Sequence, residues 1–162
     1  MGNRVSIHPW TVDDLPVLER SNTPEMTSFL GGPETPEQLA LRHAKFLRLW
    51  QEGEAWMFTI RVPSEELAVG SVGYWTKRWN NADVYETGWS IATPYQGRGY
   101  ASRALAACLE HAARCGDRAE VYAFPRIDNA ASSSVKKRSN SVKRAGREAT
   151  QPCGKRSGPL PI

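Results

Sequence analysis

Ile91-Ala92-Thr93-Pro94-Tyr95-Gln96-Gly97-Arg98-Gly99-Tyr100-Ala101 is the stretch on which the reading of this chain turns. A strand-like run, Val84-Tyr85-Glu86-Thr87-Gly88-Trp89-Ser90-Ile91, leads into it. A helix-like run from Ser102 to Ala113 leads out. Two glycines let the backbone turn tightly and approach a ligand with no Cβ in the way. The first amides of the following helix have no intrahelical partner and point back at the turn. Strand, glycine turn and helix start together form a seat for an anion, usually phosphate.

Outward from this turn, the chain reads as an alternation of short elements. Arg4-Val5-Ser6-Ile7 is a strand ended by His8-Pro9. Thr11 can cap a helix starting at Val12, with Asp13 and Asp14 favourable to its dipole and Pro16 keeping it short. Residues 21–36 carry Pro24, Gly31-Gly32-Pro33 and Pro36 and read mostly as loop. Leu39, His43, Phe46, Leu47 and Trp50 recur at helical spacing over residues 37–50, and Gly53 closes that helix. Residues 55–62, 67–75 and 84–91 then read as three consecutive antiparallel strands, with turns at 63–66 and 80–83. A helix from Tyr100 to Arg114 follows, stopped by Gly116. Residues 120–124 form a fifth strand, parallel to the one before the helix because a strand–helix–strand link joins them.

The composition narrows the class. A chain of 162 residues with 40% apolar content and six tryptophans can bury a real core as one domain. No apolar run approaches the roughly 20 residues of a membrane span. The first residues lack the apolar core of a signal peptide, and three cysteines at odd spacings suggest no disulfide framework, so a cytoplasmic protein is expected. The net charge of +4 comes from one end, since residues 133–162 carry eight Lys and Arg against the single Glu148. The body is mildly acidic, and the high overall basicity says nothing about the folded part binding nucleic acid.

Other phosphate-binding motifs fit poorly. No Gly-Lys-Ser/Thr follows the turn, which excludes a P-loop. The antiparallel strands ahead of it, and the lack of an acidic residue at the expected distance, argue against a dinucleotide fold. Gln96-Gly97-Arg98-Gly99-Tyr100-Ala101 instead resembles the Gln/Arg-x-x-Gly-x-Gly/Ala motif of GCN5-related N-acetyltransferases (GNAT). The lead-in from Glu86 to Pro94 is similar to the subgroup that includes ribosomal-protein N-terminal acetyltransferases. Asp128-Asn129-Ala130-Ala131-Ser132 is similar to the family's Asn-x-x-Ser. The resemblance covers residues 4 to about 135.

The resemblance implies an α/β (α+β) fold, a mixed, mostly antiparallel sheet flanked by helices. It also implies acetyl-CoA as co-substrate, with no metal. Residues Gln96, Gly97, Arg98, Gly99, Tyr100 and Ala101 would hold its pyrophosphate, and backbone groups near Ser90 and Ile91 would pair with its pantetheine. One of those amides would polarise the thioester carbonyl. Catalysis is then mainly positioning an amine against that carbonyl and stabilising the oxyanion. Glu86 is the general-base candidate, directly or through a water. It shares a strand face with Gly88 and Ser90. Ser132 is expected to protonate the leaving thiolate and Asn129 to fix the pantetheine arm.

Other constellations read as packing. Cys108 and Cys115 fall on the apolar side of their helix with Leu105 and Ala112, and His111 is expected to point away, so no metal site is expected. Trp75, Trp79 and Trp89 are expected as core or sheet-face residues rather than pocket walls. No partner is assigned to His8 or His43.

The resemblance implies further strands after the Asn-x-x-Ser helix, and none is legible. Residues 1–138 read as an acetyltransferase-like domain and 139–162 as a basic, disordered tail, with the C-terminal strands missing through truncation or frameshift. The expected activity is transfer of an acetyl group from acetyl-CoA to a primary amine, either a protein N-terminus or a small amine. The alternative is a non-catalytic acetyl-CoA-binding protein whose basic tail contacts nucleic acid or acidic partners. Expected partners are acetyl-CoA and an amine acceptor. A homodimer is left open, no membrane is expected, and nucleic acid enters only through the tail.

Overall fold

The computed structural model describes residues 4–28 and 31–123. The chain runs β1 (Ser6–Pro9), a 3-10 turn (Val12–Asp14), α1 (Leu15–Ser21), α2 (Pro24–Thr27), α3 (Pro36–Glu52) and β2 (Ala55–Arg61). It continues through β3 (Gly70–Trp79), β4 (Ala82–Ile91), a second 3-10 turn (Thr93–Tyr95), α4 (Tyr100–Cys115) and β5 (Val121–Ala123). The five strands lie in chain order in one sheet, antiparallel except for the parallel β4–β5 pair. This is the mixed, mostly antiparallel sheet flanked by helices expected from the sequence. The domain boundary at 138/139 and the expected absence of C-terminal strands concern residues outside those described.

Strand alternation splits the core in two. One face of the sheet sends Phe58, Ile60, Val72, Tyr74 and Tyr85 against Ala104, Leu105, Cys108 and Ala112 of α4. On the other face Met57 joins Trp10, Val17, Leu18 and Leu39, with Phe46, Leu47 and Trp75 packed alongside. The helices on that second face are set by capping. At the start of α3, Thr35 Oγ1 accepts from Gln38 N at 3.2 Å and Gln38 Oε1 accepts from Thr35 N at 2.9 Å. Gly53 ends the helix in the left-handed region at φ 71°.

The first helix differs from the sequence expectation. Thr11 does cap, with Asp14 Oδ2 accepting from Thr11 N at 2.7 Å, but residues 12–14 form a 3-10 turn and α1 begins at Leu15. Pro16 therefore falls in the first turn of α1, where its missing N–H has no intrahelical role. The segment expected as loop contains the short helix α2, capped by Thr23. Asn22 closes this segment with a two-way clasp: its Nδ2 donates to Glu34 O and its Oδ1 accepts from Glu34 N, both at 2.8 Å.

The β3–β4 hairpin is longer than the alternation suggests. Its loop is only Asn80-Asn81, at φ 50° and 59°. Asparagine is one of the few residues that tolerate this left-handed region, and two such residues make the tight turn that matches strand twist. The ladder therefore starts at Trp79↔Ala82 and runs to Gly70↔Ile91.

Two histidines also find partners. His43 Nδ1 accepts from Trp10 Nε1 at 2.9 Å, which leaves the Nε2 proton to donate to Val12 O at 3.1 Å. His8 Nε2 lies 3.0 Å from Ser6 Oγ. His111 does not point away from the core as expected. Its Nδ1 pairs with the Tyr74 hydroxyl at 2.8 Å, and its ring lies 4.9 Å from that of Phe58. The reason is helical spacing: Ala104, Cys108 and His111 stand at i, i+4 and i+7. Burial pushes the Tyr74 phenol far above its ordinary value, so it keeps its proton and donates to the imidazole. Burial also pushes the Cys108 thiol up to about 12, so it sits in the core as an apolar side chain.

Burial, with a smaller contribution from Arg114, lowers His111 from 6.5 to about 4. The unfolded chain therefore takes up this proton before the folded one as pH falls. The stability contribution is fully present above pH 6.5 and is lost as pH drops from 6.5 through about 4. Urea denaturation at a series of pH values is expected to show that fall. An H111Q variant is expected to flatten the curve above pH of about 5, where carboxylates have scarcely begun to protonate. Equal slopes in both proteins would exclude the assignment.

Candidate active site

The glycine turn is held from both sides. After β4, the turn Thr93–Tyr95 leads to Gln96, whose Nε2 donates back to Ile91 O at 2.9 Å. Gly97 and Gly99 take φ 76° and 77°, a region in which L side chains are strained. Gly99 is the N-cap of α4 and brings no side chain to its amides, while Arg103 N donates to Gly99 O at 3.3 Å. Among the described residues, no acceptor takes the amides of Gly97, Arg98, Gly99, Tyr100, Ala101 or Ser102. Arg103 Nη1 donates to Arg98 O at 3.3 Å, and the Arg98 guanidinium lies 5.9 Å from the centre of the Tyr95 ring. Tyr100 is buried in the core below. Six neighbouring amides at the start of a 16-residue helix offer concentrated positive potential to an anion.

Beside this turn, the edge of β4 beyond Thr87 has no partner among the described residues. Tyr85 N donates to Glu120 O at 2.9 Å, and the last described pair with β5 is Thr87↔Ala123. On the opposite side Ala92 N donates to Val69 O at 2.9 Å. Strand alternation between these two points turns the backbone N–H of Trp89 and Ile91 towards the β5 side. The backbone of Ser90 turns to β3, where Ser71 is its partner. Of the two backbone positions expected to meet a ligand, Ile91 faces that edge of β4. Ser90 contributes its side chain to the sheet face below.

That face forms the floor of a cavity of about 840 Å³, roofed by α1, α2 and α3. Ser71, Gly88, Ser90 and Trp75 contribute to the floor, and Met26, Phe46 and Leu49 to the roof. Glu52, Glu54, Arg42 and Lys45 also line it. Arg42 forms an ion pair with Glu34, and burial lowers its pKa from the ordinary value. Glu54 Oε2 accepts from Thr76 Oγ1 at 2.6 Å.

Glu86 stands on the same face, one cross-strand step from Trp75. Its Oε2 accepts from Trp75 Nε1 and from Lys77 Nζ, each at 3.0 Å. Trp75, not Glu86, reaches the cavity wall. Trp75 and Trp89 pack against the two core clusters as expected, Trp75 on the α1–α3 face and Trp89 on the α4 face, and both also contribute to the cavity lining, whereas Trp79 is exposed. The readable signal was the register: once Asn80-Asn81 sets the hairpin, Trp75 must share a face with Ser71, Gly88 and Ser90. The sequence gives no signal for Ser71, since a lone serine in a strand carries no pattern. Asn129 and Ser132 lie outside the described residues.

Residues 4–140 match the family described as the acetyltransferase (GNAT) domain. No curated protein matches the chain. Among solved structures, an apo form of RimL, a ribosomal L7/L12 α-N-protein acetyltransferase, is similar with 24% identity and a TM-score of 0.69, covering 84% of this chain and 75% of that one. The enzyme from Salmonella typhimurium that modifies the N-terminal serine of L7/L12 is similar at 22% identity and TM-score 0.69, covering 85% and 80%. Spermidine N-acetyltransferase from Vibrio cholerae, solved with CoA and spermine, is similar at 13% and 0.68, covering 83% and 78%.

The turn gives a direct test. A Cβ at Gly99 would come no closer than 3.5 Å to Arg103, so G99A introduces backbone strain rather than a clash. At roughly 1–2 kcal/mol for a left-handed L residue, relaxation of the turn should scatter its amides. Acetyl-CoA affinity measured calorimetrically is expected to fall about tenfold or more. An unchanged Kd would remove the turn from the cofactor site.

Proposed function

Because the chain belongs to the GNAT acetyltransferase family, the acyl-CoA-dependent N-acetyltransferases, we propose that it acetylates a primary amine held in the cavity on the α1–α3 face. One observation carries this reading. The turn with unspent amides, the edge of β4 at Trp89 and Ile91 that no described residue pairs, and the cavity over Gly88 and Ser90 adjoin one another along one strand. Pyrophosphate on the amides of residues 97–102 would lead the pantetheine along that edge like an added strand. The thioester would then stand above Gly88 and Ser90 at the cavity floor. The amine nitrogen attacks the thioester carbon, the carbonyl becomes an oxyanion, and collapse forms the amide while CoA leaves as thiolate.

Holding amine and thioester together supplies most of the acceleration, because it replaces a bimolecular encounter with a positioned one. A backbone N–H of this β4 edge, that of Trp89 or Ile91, would stabilise the oxyanion. The attacking amine must first be neutral. Glu86 is the carboxylate on this strand face, and it takes the role of base through a water, since Trp75 stands between it and the cavity. Ser132 keeps the role of proton donor to the thiolate and Asn129 that of pantetheine anchor. The acceptor class is a protein or peptide N-terminus. The likeness in the Glu86–Pro94 lead-in supports it, as does a cavity open to carboxylate and cationic side chains alike. The eight basic residues beyond position 132 support a second reading, a non-catalytic acetyl-CoA binder that contacts nucleic acid or acidic partners through that segment.

Thiol release from acetyl-CoA should be followed with peptides bearing free N-termini and, in parallel, with polyamines. Turnover with the peptides is expected, and E86Q is expected to lower kcat about 10²-fold with the acetyl-CoA KM little changed. Acetyl-CoA binding without turnover on any amine would favour the second reading. Turnover confined to polyamines would overturn the acceptor class alone.

A further inference from the structure

We infer that Trp75 is the positioning residue for the Glu86 carboxylate, and that Gly88 is bare so that the Trp75 indole can lie across β4 to reach it. The inference rests on the reading of Glu86 as the base. Trp75 and Glu86 face each other in the β3–β4 ladder, and the indole Nε1 donates to Glu86 Oε2 at 3.0 Å. A Cβ on Gly88 would stand 2.8 Å from the outer edge of that indole, closer than such atoms approach. The ring therefore passes directly over Gly88, between the carboxylate and the cavity that Trp75 also lines.

This arrangement fixes the carboxylate chemically as well as spatially. Lys77 Nζ takes the same oxygen, Oε2, at 3.0 Å, so both donors converge on one side of the group. Oε1 accepts from none of the described residues. A carboxylate oriented by two donors on one oxygen presents the other to a water or an amine in a defined direction. An indole N–H is a fixed donor that cannot rotate away as an ammonium can, because the Trp75 ring is packed among the core residues of the α1–α3 face. The charged and titratable groups around the pair are Lys77 on β3, Tyr122 opposite Glu86 on β5, and Lys45, Glu52 and Glu54 on the cavity wall. None of these except Lys77 bonds to Glu86 among the described residues.

The test compares wild type, W75F and G88A in the full chain, with E86Q as reference. W75F keeps an aromatic ring but removes the N–H, whereas G88A keeps the indole and displaces it. For W75F, kcat is expected to fall about fivefold to tenfold, in line with the loss of a hydrogen bond to a charged group, while acetyl-CoA KM changes less than about twofold. G88A is expected to lower kcat in the same direction by less, again with acetyl-CoA KM little changed. A W75F or G88A kcat equal to wild type, in a host where E86Q is impaired, overturns the inference and leaves the base in place. An E86Q enzyme as active as wild type overturns the reading of the base, and this inference with it. Should W75F fail to fold, the G88A kcat alone decides.

Discussion

Everything at the site hangs from the register of the β3–β4 ladder. Ten residue pairs from Gly70↔Ile91 to Trp79↔Ala82 fix which side chains share the α1–α3 face. That face receives Ser71, Trp75 and Lys77 from β3 and Glu86, Gly88 and Ser90 from β4. A slip of β4 by one residue would send Glu86, Gly88 and Ser90 to the α4 side and part them from Ser71, Trp75 and Lys77. The pin is local, in the two left-handed asparagines at 80 and 81, and cross-links reinforce it along the length. Thr87 Oγ1 donates to Gly73 O at 2.7 Å, and Arg78 Nη1 to Asp83 Oδ1 at 2.9 Å. The far end is locked by Ala92 N on Val69 O, just before the glycine turn begins.

The same ladder explains two bare positions. At Gly73 a Cβ would fall on the Met57 side chain and 2.8 Å from Trp56 O. At Gly88 it would meet the Trp75 ring. Both glycines let large side chains of neighbouring strands fold flat over the sheet on the α1–α3 face. One serves the core, since Met57 belongs to the cluster with Trp10 and Leu39. The other serves the cavity floor. The distinction between packing and site on this face is thus a matter of which large residue uses the space that a glycine leaves.

How much of this could be read from the chain depends on whether a feature is made by backbone or by side chains meeting across the sheet. The turn at 96–101 was legible because two glycines and a helix start need no tertiary context to define an anion seat. The order of strands and the parallel β4–β5 pair followed from element sequence and crossover geometry. The inward turn of His111 is hard to see in the chain, although i, i+4, i+7 spacing from Ala104 contains it, because a histidine among alanines weighs little in an apolar pattern. The packing of Trp75 and Trp89 is legible, but their place in the cavity lining is not, because tryptophan has the same signature in a core and in a pocket wall. The hairpin register puts Trp75 on the α1–α3 face and Trp89 on the α4 face, and it depends on an Asn-Asn loop two residues long instead of the four expected. Asn129 and Ser132 rest on the motif alone, beyond the described residues.

The two halves of the site also differ in what holds them, and this follows from the chemistry each must do. A pyrophosphate is recognised by many weak, like-signed donors, which a backbone supplies without any particular side chain. Six amides with no acceptor among the described residues are costly unless solvent or a ligand meets them, so the turn is poised by its own unspent hydrogen bonds. An amine, in contrast, must be chosen among many amines and stripped of a proton at one point. That demands side chains drawn from several elements: the indole of β3, the carboxylate of β4, and the Asn22–Glu34 clasp that fixes the α1–α2 segment over the cavity. These elements are far apart in sequence and meet only after folding. The backbone half therefore announces itself in eleven consecutive residues, while the side-chain half becomes visible only when the ladder brings Trp75, Glu86 and Gly88 into register.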